Sequence, residues 1–263
     1  MMSPKDYLKL IMNNFLKIHL NLLKKLFLNP ELELRILINK SAISNKKIFL
    51  SNFNIDDINL KKFNFYFKRR INREPISKIF NNKSFWKYDF FVNNHVLDPR
   101  PETEIIIEKV LEYFPEKDKP YKILDMCTGS GCLAISLSKE YKKSIVTATD
   151  ISKEAIKVAK FNAKKLNCMH SINFITCDLF NKKTTFDIIV SNPPYLSEYQ
   201  YQKTSPEIKI YEPKIALLAS HSGFEYYLKI ANILPNLLTK KSFAFLEIGS
   251  SQAKKALNIF NLL

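Results

Sequence analysis

Glycine is scarce in this chain, which has 4 glycines among 263 residues, where average composition would give roughly 18. A chain with so little glycine is expected to keep it where a side chain would collide or where the backbone needs a positive φ. Gly129 and Gly131 lie one residue apart, between a predicted strand and a predicted helix. Their spacing predicts a tight ligand-binding loop.

Long apolar runs and metal-ligand patterns are also missing. No stretch approaches the roughly 18 to 20 uncharged apolar residues of a membrane span. Six charged residues within residues 1–28 interrupt any signal-peptide core. We therefore expect no membrane partner and a cytoplasmic location. The four cysteines form no C-x-x-C pair and have no accompanying histidine cluster, so we expect neither a metal site nor a structural disulfide.

Acidic residues are few relative to basic ones, with 25 Asp and Glu against 41 Lys and Arg, a formal net charge of +16. Residues 1–80 hold 16 basic and 6 acidic residues, which places +10 of that charge in the first third. Two explanations remain open. One is a coding bias that raises lysine everywhere, which we favour, and the other is a basic docking face for a partner rich in nucleic acid.

The first 78 residues predict a small helical domain. After Ser3-Pro4, a plausible helix start, apolar residues recur at three- and four-residue steps and predict one buried helical face. These residues are Leu8, Ile11, Phe15, Ile18, Leu22 and Leu26. Further helices are predicted over residues 31–43 and, with a break, over residues 55–70.

The remainder of the chain predicts a hairpin followed by an α/β sheet. Aromatic and β-branched residues at 85–97 surround Asn93-Asn94 and indicate a β-hairpin that joins two domains. Strands and helices then alternate, which predicts a parallel sheet covered on both faces. The predicted strands are 122–126, 144–149, 172–176, 186–191 and 243–248. The predicted helices are 105–114, 133–141, 153–166 and 223–238.

Three sequence features follow the first three of these strands. The glycine loop at 125–131 lets backbone N–H groups approach a ligand at a helix N-terminus, although it lacks both the P-loop lysine and G-x-G-x-x-G spacing. Asp150 could accept both ribose hydroxyl hydrogen bonds, and a role as helix N-cap is equally compatible. Asp178 could accept from an adenine amino group while Leu179 packs on the ring; an ordinary loop carboxylate is the alternative.

The fourth feature is Asn192-Pro193-Pro194-Tyr195, directly after the fourth strand. The two prolines fix φ and cannot donate an N–H, so they hold the chain rigid with its carbonyls projecting outward. Asn192 adds an amide oxygen acceptor, and Tyr195 adds a flat ring. Together these groups predict a clamp for a planar –NH2 group, with two acceptors that hold both of its N–H bonds.

These four features resemble the class I S-adenosylmethionine methyltransferases that act on planar nitrogen. Within that class the chain closely resembles the HemK/PrmC-type release factor glutamine methyltransferases, over about residues 70–255. The closer resemblance is carried by motifs outside the shared core. They are Arg73-Glu74-Pro75-Ile76, the hairpin, residues 96–104 (VLDPRPETE), Tyr211-Glu212-Pro213 with Ala216-Leu217, and Glu247-Ile248-Gly249 followed by Gln252.

The resemblance implies methyl transfer from S-adenosylmethionine to the side-chain nitrogen of the glutamine in the Gly-Gly-Gln tripeptide of peptide chain release factors. It implies a Rossmann-like α/β fold with a helical substrate-docking domain at 1–78, a hairpin linker at 79–104 and the methyltransferase domain at 105–263. The cofactor residues would be Cys127, Thr128, Gly129, Ser130, Gly131, Asp150, Asp178, Leu179 and Asn192. The glutamine amide would be held by Asn192, Pro193, Pro194 and Tyr195, with catalysis assigned to Asn192, Pro193 and Tyr195. Arg100, Glu102 and Thr103 would line or support that pocket.

The chain departs from the family pattern at several places. Cys127 and Arg73 stand where the family usually has glycine, and residues 219–223 replace a Gly-Gly-x-Asp-Gly stretch. The family sheet adds two further strands after the fifth, so we expect a five-stranded sheet with an exposed edge. We expect release factors as partners, no specific nucleic acid and a monomer. Two alternatives stay open: an adenine-N6 DNA or RNA methyltransferase, which shares Asn-Pro-Pro-Tyr, and a degenerate non-catalytic remnant.

Overall fold

Helices form the first of two units into which the chain divides, residues 1–80 and 81–263. The structure, a computed structural model, describes residues 4–45, 47–180 and 182–261. The described helices of the first unit are α1 (Pro4–Lys24), α2 (Pro30–Lys40), α3 (Leu60–Ile71) and α4 (Ile76–Phe80). The break predicted within residues 55–70 is confirmed: a 3-10 turn covers Ile55–Asp57, and the Asn59 side chain then caps α3.

The buried face of α1 differs from the predicted one. Ile18 and Leu22 are 57% and 41% exposed, whereas Leu23 is fully buried in a core built around Phe53 and Phe63. The side chains of Leu8 and Ile11 lie outside the described residues. Phe15 of the predicted stripe does pack on this core, against Phe53 and Phe63. Leucines occur on more than one face of α1, so spacing alone identified only part of the buried face.

The hairpin of the second unit lies earlier than predicted. Strands β1 (Lys83–Phe85) and β2 (Tyr88–Phe90) pair antiparallel around a turn at Trp86, whose φ is +54°. The β-hairpin predicted around Asn93-Asn94 is wrong: a turn is present there, with Val96 N bonded to the Asn93 carbonyl, but the strands that pair are residues 83–85 and 88–90. Glu104 accepts the Trp86 backbone N–H at 2.7 Å, and Glu140 accepts its indole N–H at 3.0 Å. These distant partners, which local turn chemistry cannot reveal, stabilise the turn at Trp86.

Within the described residues, five parallel strands form the main sheet, in the order β5-β4-β3-β6-β7. The fold class is therefore confirmed, and so is the five-stranded sheet. The strand bounds are β3 Lys122–Met126, β4 Ile145–Asp150, β5 Ile172–Thr176, β6 Phe186–Ser191 and β7 Leu238–Leu246. The helices are α5 Glu104–Tyr113, α6 Cys132–Glu140, α7 Lys153–Lys165, α8 Glu198–Gln202, α9 Pro206–Tyr211, the single turn α10 Ser220–Gly223, α11 Glu225–Leu237 and α12 Ala253–Phe260.

Both faces of this sheet are buried, because consecutive apolar side chains of the central strands point to opposite faces and pack into different clusters. On β3, Ile123 packs into one apolar cluster and Leu124 into another, and Ile188 and Ile189 on β6 divide in the same way. Burial of a side chain of this size contributes about 1.5–3 kcal/mol. None of the described helices combines the length and apolarity that crossing a bilayer requires.

The order of the strands indicates where this sheet would bind a ligand. From β3 the chain moves outward to β4 and β5, and it then returns to β6 on the other side of β3. The loops after β3 and β6 therefore diverge and leave a crevice at their carboxyl ends, where open α/β sheets bind their ligands.

Candidate active site

A cleft of about 870 Å³, open solvent included, occupies this crevice. Most of the predicted site residues line it. These are Arg100, Thr103, Cys127, Thr128, Gly129, Ser130, Asp150, Asp178, Leu179, Asn192 and Pro194. Four other predicted site residues are not among the described residues that line the cleft: Gly131, Pro193, Tyr195 and Glu102. Glu102 is exposed on the 3-10 turn Pro101–Thr103.

The loop after β3 turns through three residues with positive φ: Cys127 at +60°, Gly129 at +54° and Gly131 at +81°. Gly131 is the N-cap residue of α6, and a Cβ there would lie 3.1 Å from Ala159 Cβ. This confirms that glycine is kept where conformation and space require it. Cys127 holds the left-handed backbone without glycine, as does Arg73 at +66° in the first unit.

Asp150 ties the cofactor loop to the next strand. Its Oδ2 accepts the Gly129 N–H at 2.9 Å, and its Oδ1 accepts the Ser152 N–H at 2.9 Å. Ser152 is the N-cap of α7, because its side chain accepts from Ala155 N at 3.2 Å. The alternative role of Asp150 as that N-cap is therefore wrong. Burial raises the pKa of Asp150, which lines the cleft.

Asp125 is a buried carboxylate in the cleft wall to which the sequence analysis gave no role. Its Oδ2 accepts the Thr128 hydroxyl at 2.6 Å and the Ala134 N–H at 3.0 Å. Within the described residues its Oδ1 has no hydrogen-bond partner. Burial raises the pKa of Asp125 to about 7. An unpartnered buried acceptor of this kind suits a cationic or hydrogen-bond-donating ligand.

The loop after β5 completes this side of the cleft. Leu179 is buried with φ at +53°, and its carbonyl accepts from the Cys177 thiol at 2.9 Å. Asp178 is about half exposed and lies 3.4 Å from Lys229 Nζ. Leu179 therefore offers a fixed apolar surface, whereas Asp178 offers an acceptor at the solvent edge.

A hydrogen-bonded chain of side chains supports the elbow after β6, which we define as residues 192–195. Asn192 Nδ2 donates to Thr103 Oγ1 at 3.0 Å, and the Thr103 hydroxyl donates to Glu247 Oε2 at 2.6 Å. The Tyr195 hydroxyl donates to Glu247 Oε1 at 3.1 Å. With its nitrogen held by Thr103, the Asn192 amide has its oxygen at the opposite end. Burial, followed by the charge of Glu247, raises the pKa of Tyr195 to about 12.

Three further residues hold the site from outside the predicted set. Glu212 is buried and accepts from Arg100 Nη2 at 3.1 Å and from the Asp98 N–H at 3.2 Å. Gln252 is buried behind the elbow, where its Nε2 donates to the Tyr195 carbonyl at 3.0 Å. These residues had no role assigned from the sequence. Glu212, Glu247 and Gln252 all lie in motifs that carry the family resemblance, and membership of those motifs could have identified them.

The comparisons with known proteins agree with this geometry. The family model described as Methyltransferase small domain matches residues 103–210. A release factor glutamine methyltransferase of Clostridium acetobutylicum is 37% identical over 225 residues, which cover 83% of this chain and 79% of that protein. The chain belongs to the release factor glutamine methyltransferase family. A bifunctional methyltransferase of Rickettsia typhi is 39% identical over 90% of this chain.

The chain spans about half the length of that bifunctional relative, of which 50% is covered. Among solved structures, the hMettl16 catalytic domain in complex with a 3'UTR hairpin matches with a TM-score of 0.50. The match covers 65% of this chain and 66% of that chain at 17% identity, and it shows the fold alone.

The cofactor of this fold family is S-adenosylmethionine, and the described cleft fits it. Loop residues 127–130 line the cleft just before α6, and Asp150 and Asp178 line it after the next two strands. The backbone N–H groups of Thr128, Gly129 and Gly131 bond within the protein, to Thr149, Asp150 and Thr128. The unpartnered Asp125 oxygen suits a cationic group, and S-adenosylmethionine carries both a sulfonium and an ammonium. Among the described residues, no group of three or more His, Cys, Asp or Glu side chains could hold a metal ion.

Proposed function

We propose that this chain methylates the side-chain amide nitrogen of the glutamine in the Gly-Gly-Gln tripeptide of peptide chain release factors. The observation that carries the proposal is the orientation of Asn192, whose nitrogen bonds Thr103 and whose oxygen is left as an acceptor in the cleft wall. The names of relatives at 36–39% identity support the substrate.

When bound, S-adenosylmethionine supplies a methyl group whose bond to sulfur breaks, with the electron pair kept by sulfur, as its bond to nitrogen forms. The elbow residues position the acceptor for this step. The Asn192 Oδ1 and the Pro193 carbonyl accept the two N–H bonds of the glutamine amide, which directs its nitrogen at the methyl carbon. Holding reacting atoms about 3–3.5 Å apart can replace much of the entropic barrier.

Two acceptors at the nitrogen also supply electrostatic stabilisation. An amide nitrogen is a weak nucleophile because its lone pair is delocalised into the carbonyl, and it becomes cationic as the new bond forms. Preorganised oxygens facing that nitrogen stabilise the developing charge. None of the four elbow residues is a strong base, so the proton leaves the nitrogen for water after methyl transfer.

The other parts of the proposal concern binding. The loop at 127–131 with Asp150, Asp178 and Leu179 holds the cofactor, while Arg100 and Thr103 support the amide pocket and the exposed Glu102 lies outside it. The basic helical domain at 1–78 docks the release factor, and we propose that the chain acts as a cytoplasmic monomer without specific nucleic acid.

A methyl-transfer assay with labelled cofactor tests the proposed substrate. The purified chain is incubated with a release factor, with the same factor carrying Glu in place of the tripeptide glutamine, and with adenine-containing DNA and RNA. We expect label in the unaltered factor alone. Label in nucleic acid would favour an adenine methyltransferase. Cofactor binding without transfer to any acceptor would favour a non-catalytic remnant.

A further inference from the structure

We propose that Glu247 is a positioning residue that sets which end of the Asn192 amide faces the cleft. The inference rests on the proposed function for its kinetic consequence, but the orientation itself can be measured without a substrate. Glu247 is absent from the described cleft wall, so it acts through its neighbours.

Sheet register brings Glu247 beside the elbow. In the β6–β7 ladder Ser191 pairs with Leu246, and the next backbone bond runs from Glu247 N to the Ser191 carbonyl at 3.0 Å. Asn192 and Glu247 therefore leave adjacent strands together. The two Glu247 carboxylate oxygens then take separate donors: Oε2 takes the Thr103 hydroxyl and Oε1 takes the Tyr195 hydroxyl.

The direction of each bond follows from the donors that each group owns. An ionised carboxylate accepts hydrogen bonds and donates none, and a hydroxyl has a single hydrogen. Because Thr103 gives its hydrogen to Glu247 at 2.6 Å, its oxygen can only accept from the Asn192 amide 3.0 Å away. The end of Asn192 that faces Thr103 must then be the –NH2, so the oxygen is the end left for the substrate.

Removing the Glu247 charge would allow the hydrogen bonds between residue 247, Thr103 and Asn192 to reverse direction. A protonated or amidated residue 247 can donate to Thr103, whose hydroxyl is then free to donate to Asn192 Oδ1. The Asn192 amide would turn its –NH2 into the cleft, where it opposes the N–H donors of a glutamine amide. The other ionisable groups that bear on Glu247 are Glu102, Tyr195 and Cys132, with the Tyr227 hydroxyl on its carbonyl. Burial, more than the Glu102 charge, raises the pKa of Glu247.

Kinetics of Glu247→Gln provide the first test. We expect kcat to fall about 100-fold, the size of loss typical for one preorganised polar contact, with the cofactor Kd unchanged. Because the Glu247 pKa is raised, wild-type kcat should decline as the pH falls through that raised value, and the variant should lack this acid limb. Thr103→Val should lose as much, whereas the matched Thr103→Ser keeps the hydroxyl and most of the activity.

A rescue distinguishes orientation from general damage. Aspartate accepts at both ends, so Asn192→Asp added to Glu247→Gln again offers an oxygen to the cleft while Thr103 donates to it. We expect the double variant to exceed Glu247→Gln in kcat, and Asn192→Asp alone to be poor because two carboxylates compete for the Thr103 hydrogen. Failure of this rescue, or full turnover in Glu247→Gln, would overturn the inference.

A readout independent of the acceptor separates this inference from the proposed function. In protein labelled with 15N-asparagine, the Asn192 Nδ2 hydrogens should exchange with water about tenfold faster in Glu247→Gln than in wild type, as loss of one such bond predicts. Equal exchange rates would reject the orientation role. Protein that shows the difference but does not methylate a release factor would leave the orientation role intact and reject the proposed substrate.

Discussion

The two halves of the cleft are built in different ways. In the cofactor half, the Asp150 carboxylate accepts from backbone N–H groups 2 and 21 residues away, those of Ser152 and Gly129. In the amide half, three side chains bond across 144 residues from Thr103 to Glu247 and across 89 residues from Thr103 to Asn192. The first half joins the loops of two neighbouring strands that are also consecutive in the chain, whereas the second brings together segments that are far apart in the chain. Loss of one member should therefore disturb the whole amide half.

The largest expected effect comes from Asn192→Ala. This change removes one acceptor of the proposed clamp but none of the backbone that holds the cofactor loop. We expect turnover to fall about 100- to 1,000-fold, as for loss of one preorganised polar group in a catalytic site. Isothermal titration should show a cofactor Kd close to that of wild type. A large loss of cofactor affinity would mean that the two halves are not separate, and retained turnover would reject the clamp.

Asp150→Ala should produce the opposite pattern. The variant frees the N–H groups of Gly129 and Ser152 and removes the acceptor assigned to the ribose. Hydrogen bonds to charged groups contribute about 1.5–3 kcal/mol, so we expect cofactor affinity to weaken about 10- to 100-fold. Turnover at saturating cofactor should change far less. The control is Asp178→Ala, which should weaken affinity less because Asp178 is about half exposed. Equal affinity in wild type and Asp150→Ala would contradict the assignment.

The smallest expected effect concerns backbone strain behind the amide half. His221 and Ser222 hold φ at +53° and +57° although both are exposed non-glycine residues. A left-handed backbone costs an L-residue roughly 1–2 kcal/mol, part of which glycine regains at the expense of unfolded-state entropy. We expect His221→Gly to raise the free energy of unfolding by about 1 kcal/mol, measured by urea denaturation. His221→Ala keeps the strain and should bring no gain; if it stabilises equally, strain is not the cause.

Local signals in the sequence account for what could be predicted. Gly129, Gly131 and Asp150 follow directly after predicted strands, and the order of a parallel sheet then brings them to one edge. The class of fold followed from the same alternation of strands and helices. Cys127 shows the limit of this reasoning, since a residue with a side chain keeps the positive φ that glycine would favour.

Non-local partners account for what could not be predicted. The hairpin turn lies at Trp86 because Glu104 and Glu140, distant in sequence, accept its two N–H groups. Glu247 was visible in the sequence as part of a motif, but its bonds to Thr103 and Tyr195 depend on the register of β6 against β7. Glu102 shows the reverse case: it adjoins Thr103 in sequence, yet it is exposed and outside the described cleft wall.

One buried amide behind the elbow has a consequence for redesign. Gln252 donates to the carbonyls of Tyr195 and Gly223 and accepts from Gly249 N at 3.2 Å and from the Tyr227 hydroxyl at 3.3 Å. There is also no room for a Cβ at Gly223, because it would collide with the Tyr195 carbonyl oxygen and with Gln252 Nε2. A protein engineer who wants this scaffold to accept a different flat amine should therefore keep Gln252 and Gly223 fixed. Variation belongs on the face of the elbow that points away from them, where new side chains can be exchanged without moving the frame.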